Sequence, residues 1–452
     1  MIGVTAMVAG VVADGTAGAS HAYDGGSTSL AYRIASITKT FTAIGVMQQF
    51  EAGRIALDDP VNDHLRTVRV VTPAGAPPVT IRHLLTHSAG IGELLRAGDL
   101  RRPFAGFAVR PGQPVPPLRS VYEPEVRTEV AVESKSAYAN HGFGLLGVLL
   151  EDVSSEEYGD YVRTHVLDVL GMTRTDVART PRVGETAIGF RPKGDRHAWD
   201  LDLTVPPAGG AWSTVEDLQH YVVALVNGGA NASGRVLEPA TLSLMLESHF
   251  RLDPRMPGRG LCFALGELCG HRLAGHDGGL PGFSSTMQFA ADDGAGAIVL
   301  ANANSLAISA TVHRLGRDLL RDILGVADPV DALDAVTGPE RPDTWAGLRG
   351  AYVPERGLLT STRVWRGGAP LVVRGSARHL ELRAPYGAHR RGTRLRPDRD
   401  DPEVYRLVSR GLVGRVVFQR GPDGVAHHLL LADDTGQHRL RRARPHRSAA
   451  SR

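Results

Sequence analysis

A chain of 452 residues is too long for one hydrophobic core, so at least two domains are expected. Hydrophobic residues make up 42% and charged residues 22%, as in globular proteins, and no apolar run is long enough to span a bilayer. The formal net charge of +3 is too small to suggest nucleic acid or membrane binding.

The opening stretch is apolar but has neither a basic leader nor a clear cleavage site, so it reads as a strand rather than a signal peptide. Asp14-Gly15 turns it into a second strand through Ala22. A helix follows from Ser36 to Ala52, with Ile37, Phe41, Ile44 and Gln48 on one face and Gly53 as its cap. Residues 60–80 read as irregular. Thr80 caps a short helix from Ile81 to His87, and Arg101–Pro124 reads as a proline-rich surface loop. Helical spacing returns over Gly142–Val153, Tyr158–Leu170 and, after the cap Thr214, through Val226. Gly260–Ala301 suggests three antiparallel strands, and Asn304–Leu324 a strongly amphipathic helix. Residues 326–345 form a linker. Five short runs beyond it (370–374, 379–383, 404–408, 416–420 and 427–431) imply a small all-β domain over 346–440. Residues 441–452 read as a disordered basic tail.

The basic residues are unevenly chosen. Among 51 lysines and arginines only Lys39, Lys135 and Lys193 are lysines. Arginine keeps its proton in proteins, whereas a desolvated lysine amine can lose it. Lys39 lies three residues after Ser36, so a first helical turn places both on one face. The helix N-terminus favours an oxyanion there, and a neutral lysine can activate a serine that is otherwise a poor nucleophile. By itself this spacing is weak. Tyr138-Ala139-Asn140 stands before an apolar helix and offers a proton-relaying phenol and a carbonyl-binding amide. Gly275-His276-Asp277-Gly278-Gly279 follows a strand-like run and lets backbone approach a ligand closely.

In this order the three stretches resemble the serine β-lactamase and penicillin-binding superfamily. The closest branch is class C-like: class C β-lactamases, DD-peptidases, D-aminopeptidases and family VIII esterases. The resemblance covers about residues 1–325, and Thr80–Gly90, Leu170–Thr175, Gly209–Thr214 and Asp217-Leu218 support it. It implies an α+β fold, an antiparallel sheet flanked by helices with a helical cluster beside it, ahead of the small β domain. It also implies roles. Ser36 is the acylated nucleophile and one oxyanion donor, and Lys39 is the base. Tyr138 shuttles protons, and Asn140 orients the substrate. His276 and Gly278 fill the third motif, and Gly279 gives the second oxyanion N–H. No metal or organic cofactor is implied, and the partner is a small-molecule or short-peptide substrate.

Two departures matter. His276 stands where β-lactamases carry lysine, which weakens carboxylate recognition; Asp277 beside it would either repel an anion or keep His276 protonated. The chain also lacks the helix that normally precedes the first strand, so the true start is expected upstream, with an export signal. The resulting expectation is a peptidase- or esterase-type hydrolase; a true β-lactamase and a non-catalytic binder or cell-wall scaffold are the alternatives. Cys262 and Cys269 are read as two thiols before a disulfide, and His83 and His87 as core or capping residues before a metal pair. Neither oligomeric state nor compartment is assigned.

Overall fold

The computed structural model describes residues 6–101, 106–110, 112–177, 183–191, 197–198, 201–331, 333–355, 357–376, 378–409, 412–433 and 436–443. It divides into two units: one spans residues up to Arg251 and Gly258–Ala327, the other Leu252–Pro257 and the chain from Asp328.

In the first unit, β1 (Met7–Ala13) and β2 (Thr16–Tyr23) form the expected hairpin. Short strands β3 (Tyr32–Arg33), β4 (Arg69–Val71), β5 (Ala108–Val109), β6 (Glu125–Arg127), β7 (Asp202–Leu203) and β8 (Trp212–Ser213) pair in twos, β3 with β8, β4 with β6 and β5 with β7. Thus 60–80 and the proline-rich stretch after Arg101 are not wholly irregular, since each contributes a strand to β4–β6 or β5–β7. The main sheet is completed by β9 (Ala264–Leu268), β10 (His271–Leu280), β11 (Phe283–Ala290) and β12 (Ala295–Ala301), all antiparallel in the order β2-β1-β12-β11-β10-β9. Four strands therefore occupy 260–301 where three were expected. β9 is the extra one; its mostly solvent-facing side chains give it no apolar alternation to read.

The helices are α1 (Thr38–Glu51), α2 (Ile81–Leu85), α3 (Asn140–Ser154), α4 (Tyr158–Val162, continued by a π-helical turn through Leu167), α5 (Pro206–Gly209), α6 (Val215–Val226), α7 (Pro239–Leu246) and α8 (Leu306–Leu324). α1 starts as a 3-10 turn over Ala35–Ile37, and every side chain from Ile37 to Met47 is buried. Its neighbour α3 reads NHGFGLLGVLL and is buried nearly throughout, so α1 and α3 make a two-helix centre. Burying each large aliphatic or aromatic side chain there contributes about 1.5–3 kcal/mol. Gly45 of α1 allows the close approach, since a Cβ there would stand 2.9 Å from Leu150 Cδ2 of α3, and Gly147 of α3 lets α5 in, with Pro207 Cγ 2.3 Å from where its Cβ would be. Thr214 caps α6 as expected, accepting from the Asp217 N–H. α8 lies on the sheet with Ile308, Val312 and Leu320 buried and Leu315, Leu319 and Ile323 partly buried. No helix among the described residues is long and apolar enough to cross a membrane.

The second unit is a closed antiparallel barrel of eight strands: β13 (Gly350–Pro354), β14 (Leu371–Gly375), β15 (Leu380–Arg383), β16 (Thr393–Pro397), β17 (Val404–Ser409), β18 (Leu412–Arg420), β19 (Ala426–Asp433) and β20 (Gly436–Arg442). Two short helices precede or interrupt it, α9 (Leu333–Val336) and α10 (Thr362–Arg366). The three strands missing from the five-strand expectation are β13, β16 and β20. β20 runs through Arg442, two residues into the stretch read as tail; residues 444–452 lie outside those described. The stretch read as linker holds α9 and the 3-10 turn Pro342–Gly347, whose Trp345 is buried in the barrel core. Leu252 and Met256 join Val404, Val417 and Leu430 in a small apolar cluster, and Gln419 donates to Asp253 at 2.9 Å. This unit is therefore assembled from two separate parts of the sequence.

Candidate active site

The turn before α1 is bent against its preference. Ala35 has φ +49°, a left-handed conformation that costs a non-glycine residue about 1–3 kcal/mol and persists only where surroundings enforce it. Those surroundings are polar and specific. Ser285 Oγ donates to the Ile34 carbonyl at 2.8 Å, and Thr38 Oγ1 donates to the Ala35 carbonyl at 2.6 Å. The Ala211 N–H returns a bond to Thr38 Oγ1 at 3.0 Å. The result presents Ser36 at the head of α1.

Lys39 sits one turn further on and is 0% exposed. Its Nζ donates to Ser36 Oγ at 3.0 Å and to the Ala208 carbonyl at 2.5 Å. Aromatic faces close around it, Tyr138 at 5.0 Å and Phe143 at 5.7 Å from the ring centres. The Ala208 carbonyl, from α5, could not be found by motif, because a main-chain group leaves no mark in residue type.

Tyr138 is half-buried and its ring stacks on His87 at 4.2 Å. His87 lies just beyond α2 with φ +57°, and its Nδ1 accepts from the Ala139 N–H at 3.2 Å. His83 closes the α2 capping box, its Nδ1 accepting from the Thr80 N–H at 3.0 Å. The two histidines thus do separate work, one as a cap and the other as the platform under Tyr138. Asn140, half-buried, opens α3 one residue after the extended Ala139.

The glycine-rich strand closes the other side. β9 pairs with β10 only as far as Gly275, so His276–Leu280 has an edge that no strand covers among the described residues. Gly278 lies against the serine turn, where an added Cβ would come 2.3 Å from the Ile34 carbonyl and 2.1 Å from Ser285 Oγ. Only glycine fits. Gly279 follows it, paired with Ser284.

His276 is buried, and its Nδ1 lies 2.7 Å from the Asp277 carbonyl. A carbonyl only accepts, so Nδ1 carries the proton and Nε2 is a lone-pair acceptor. Nε2 is buried with no hydrogen-bond partner among the described residues. Burial drives the His276 pKa down to about 3, so the ring is neutral. Asp277 does not change this. Strand alternation turns its carboxylate to the opposite face, where it accepts from Thr286 Oγ1 at 2.6 Å and meets His313 Nδ1 at 2.8 Å. The expectation that Asp277 would repel an anion or keep His276 protonated is corrected by this geometry.

Both cysteines are free. Cys262 is buried, and desolvation pushes its thiol up to about 12; Cys269 is exposed at the β9–β10 turn.

An antiparallel sheet, a helical cluster and a serine–lysine pair between them define the serine β-lactamase and penicillin-binding superfamily. The chain belongs to the beta-lactamase family: the family model "Beta-lactamase" matches residues 3–320. It is 24% identical over 301 residues to Protein flp of Staphylococcus aureus (strain COL), covering 65% of this chain and 57% of that protein, so the match spans little more than half of the relative. It is 28% identical over 348 residues to Penicillin-binding protein 4 of Amycolatopsis lactamdurans, covering 73% and 86%. Among solved structures it resembles the octameric penicillin-binding protein homologue from Pyrococcus abyssi, with TM-score 0.58, 21% identity, and 97% and 96% of the two chains covered. A D-stereospecific amidohydrolase from Streptomyces sp. aligns with TM-score 0.51 and 25% identity, over 67% of this chain and 90% of that one.

Proposed function

We propose that this chain is a serine hydrolase that cleaves an amide or ester through an acyl-enzyme on Ser36. The observation that carries the reading is the 3.0 Å contact between Ser36 Oγ and a Lys39 amine with no exposed surface. Removal from water favours the neutral amine, which is the form that accepts a proton. As Ser36 Oγ bonds to the substrate carbonyl carbon, its hydrogen passes to Lys39 Nζ. The oxyanion is received by the N–H groups of Ser36 and Gly279, at the head of α1 and on the free edge of β10. Collapse breaks the bond to the leaving amine or alcohol, which takes the proton from Lys39 by way of Tyr138. Water then attacks the ester, with Tyr138 and Lys39 receiving its proton and returning it to Ser36. Asn140 orients the substrate amide.

The substrate belongs to the peptidase or esterase side of the family. A neutral His276 offers a carboxylate no charge, which favours substrates without an anionic group at that position over β-lactams and free peptide C-termini. The Streptomyces relative adds support for small amides of D-amino acids.

The test is labelling with a fluorescent fluorophosphonate, then turnover of p-nitrophenyl esters, D-alanyl p-nitroanilide, a D-Ala-D-Ala peptide and nitrocefin. Labelling that disappears in Ser36→Ala, with ester or anilide turnover, is expected. Fast nitrocefin turnover would move the chain to the β-lactamases, and an unlabelled wild type would make it a binder.

A further inference from the structure

The small overall charge conceals a strong asymmetry. From Asp328 onward the sequence holds 23 arginines and 14 acidic residues, 23 − 14 = +9, which leaves 3 − 9 = −6 for the rest. The excess is concentrated further: between Gly357 and Pro397 there are nine arginines and one carboxylate, Glu381, which pairs with Arg383.

Apolar side chains are exposed in the same stretch. Leu358 is 63% exposed, Tyr386 46% and Trp365 39%; these are three of the seven large hydrophobic side chains exposed among the described residues. They belong together. Leu358 accepts the Ser361 N–H just before α10, α10 carries Trp365, and the Tyr386 hydroxyl donates to the Trp365 carbonyl. Arg363 and Arg366 flank Trp365 on α10 and are exposed. Arg390 joins the same turn, its N–H meeting the Gly387 carbonyl, and Arg391 follows. Both are exposed and form no ion pair with any described residue.

We propose that this end of the barrel, built from Leu358, Trp365, Tyr386 and the surrounding arginines, is a peripheral docking surface for an anionic lipid bilayer. Charge complementarity selects an anionic partner, because the patch is arginine-rich and poor in carboxylates. The apolar part selects lipid over a soluble polyanion. Tryptophan and tyrosine, each with an apolar ring and a polar edge, settle at the headgroup level, and an exposed leucine gains by entering the acyl boundary. Arginine near such a surface strengthens binding roughly fivefold per residue at low salt. A nucleic acid would instead call for a groove tracking its backbone.

The full-length protein is sedimented with vesicles of phosphatidylcholine alone and of phosphatidylcholine mixed with phosphatidylglycerol. Binding to the mixed vesicles only, released by high salt, is expected. Arg390→Gln with Arg391→Gln should weaken it by about 25-fold, and Leu358→Ser or Trp365→Ala should weaken it further with unchanged thermal unfolding. Arg272→Gln, which removes an exposed arginine from the other unit, should leave it unchanged. Absence of binding to the mixed vesicles, or equal binding by the arginine double variant, overturns the proposal. So does tighter binding to heparin or an oligonucleotide that the same variants abolish, because the surface would then read a polyanion.

Discussion

The two units use positive charge in opposite ways. The β-lactamase-family unit takes one of the chain's three lysines entirely out of water and sets it 3.0 Å from a serine hydroxyl. The barrel keeps its arginines on the outside, where they alternate with leucines that fill the interior: in Thr393–Pro397, Leu395 is fully buried while Arg394 is exposed and pairs with Glu340. In the first unit the identity of a charged residue is chemistry. In the second it is mostly solvation, so position matters more than type.

The largest expected effect breaks the contrast on the serine–lysine side. Ser36→Ala should remove labelling outright, and Lys39→Arg, whose guanidinium stays protonated and cannot serve as a base, should lower kcat/KM by about a thousandfold or more against the best substrate of the panel. In the barrel, Leu395→Ala should cost about 2–5 kcal/mol by denaturant unfolding, whereas Arg394→Gln beside it should stay within about 0.5 kcal/mol. Equal costs would show that the alternation does not govern the barrel. Gly278→Ala should cost about 1–3 kcal/mol and depress labelling as well, because its methyl group would press on the turn that presents Ser36.

The smallest effect concerns acid. His141 and His276 are both buried, and desolvation is the main force that brings both to about 3. Their folded values lie below the unfolded value near 6.5, so the unfolded chain binds more protons between pH 6.5 and 3, and stability falls as pH drops through that window. His141→Gln should flatten the dependence by up to about 1.4 kcal/mol per pH unit, as read from urea unfolding at several pH values. A slope that does not change would mean His141 is already protonated in the fold.

How much could be read beforehand follows from the same contrast. Ser36, Lys39, Tyr138 and the His276–Gly279 strand stood out because their chemistry restricts residue type, and the fold brings all of them to one place. The Ala208 carbonyl and the left-handed Ala35 were invisible, since neither depends on a distinctive side chain. His87 reads from the sequence as a core or capping residue; in the fold it is the stacking platform of Tyr138. Strands β16 and β20 are hard to read as strands because their arginines outweigh the single leucine, Leu395 or Leu440, that each turns inward. β9 turns only Leu265 and Leu268 inward, too little alternation to read.

The hexapeptide Leu252–Pro257 has a practical consequence for anyone dissecting the gene. Cutting the chain after Ala327 would strip Leu252 and Met256 of Val404, Val417 and Leu430, leaving two greasy side chains and a carboxylate–guanidinium pair bare on the remaining fragment. Such a fragment would tend to clump for reasons unrelated to catalysis. A clean dissection must excise or polarise those six residues too, so that lost solubility is not mistaken for lost chemistry.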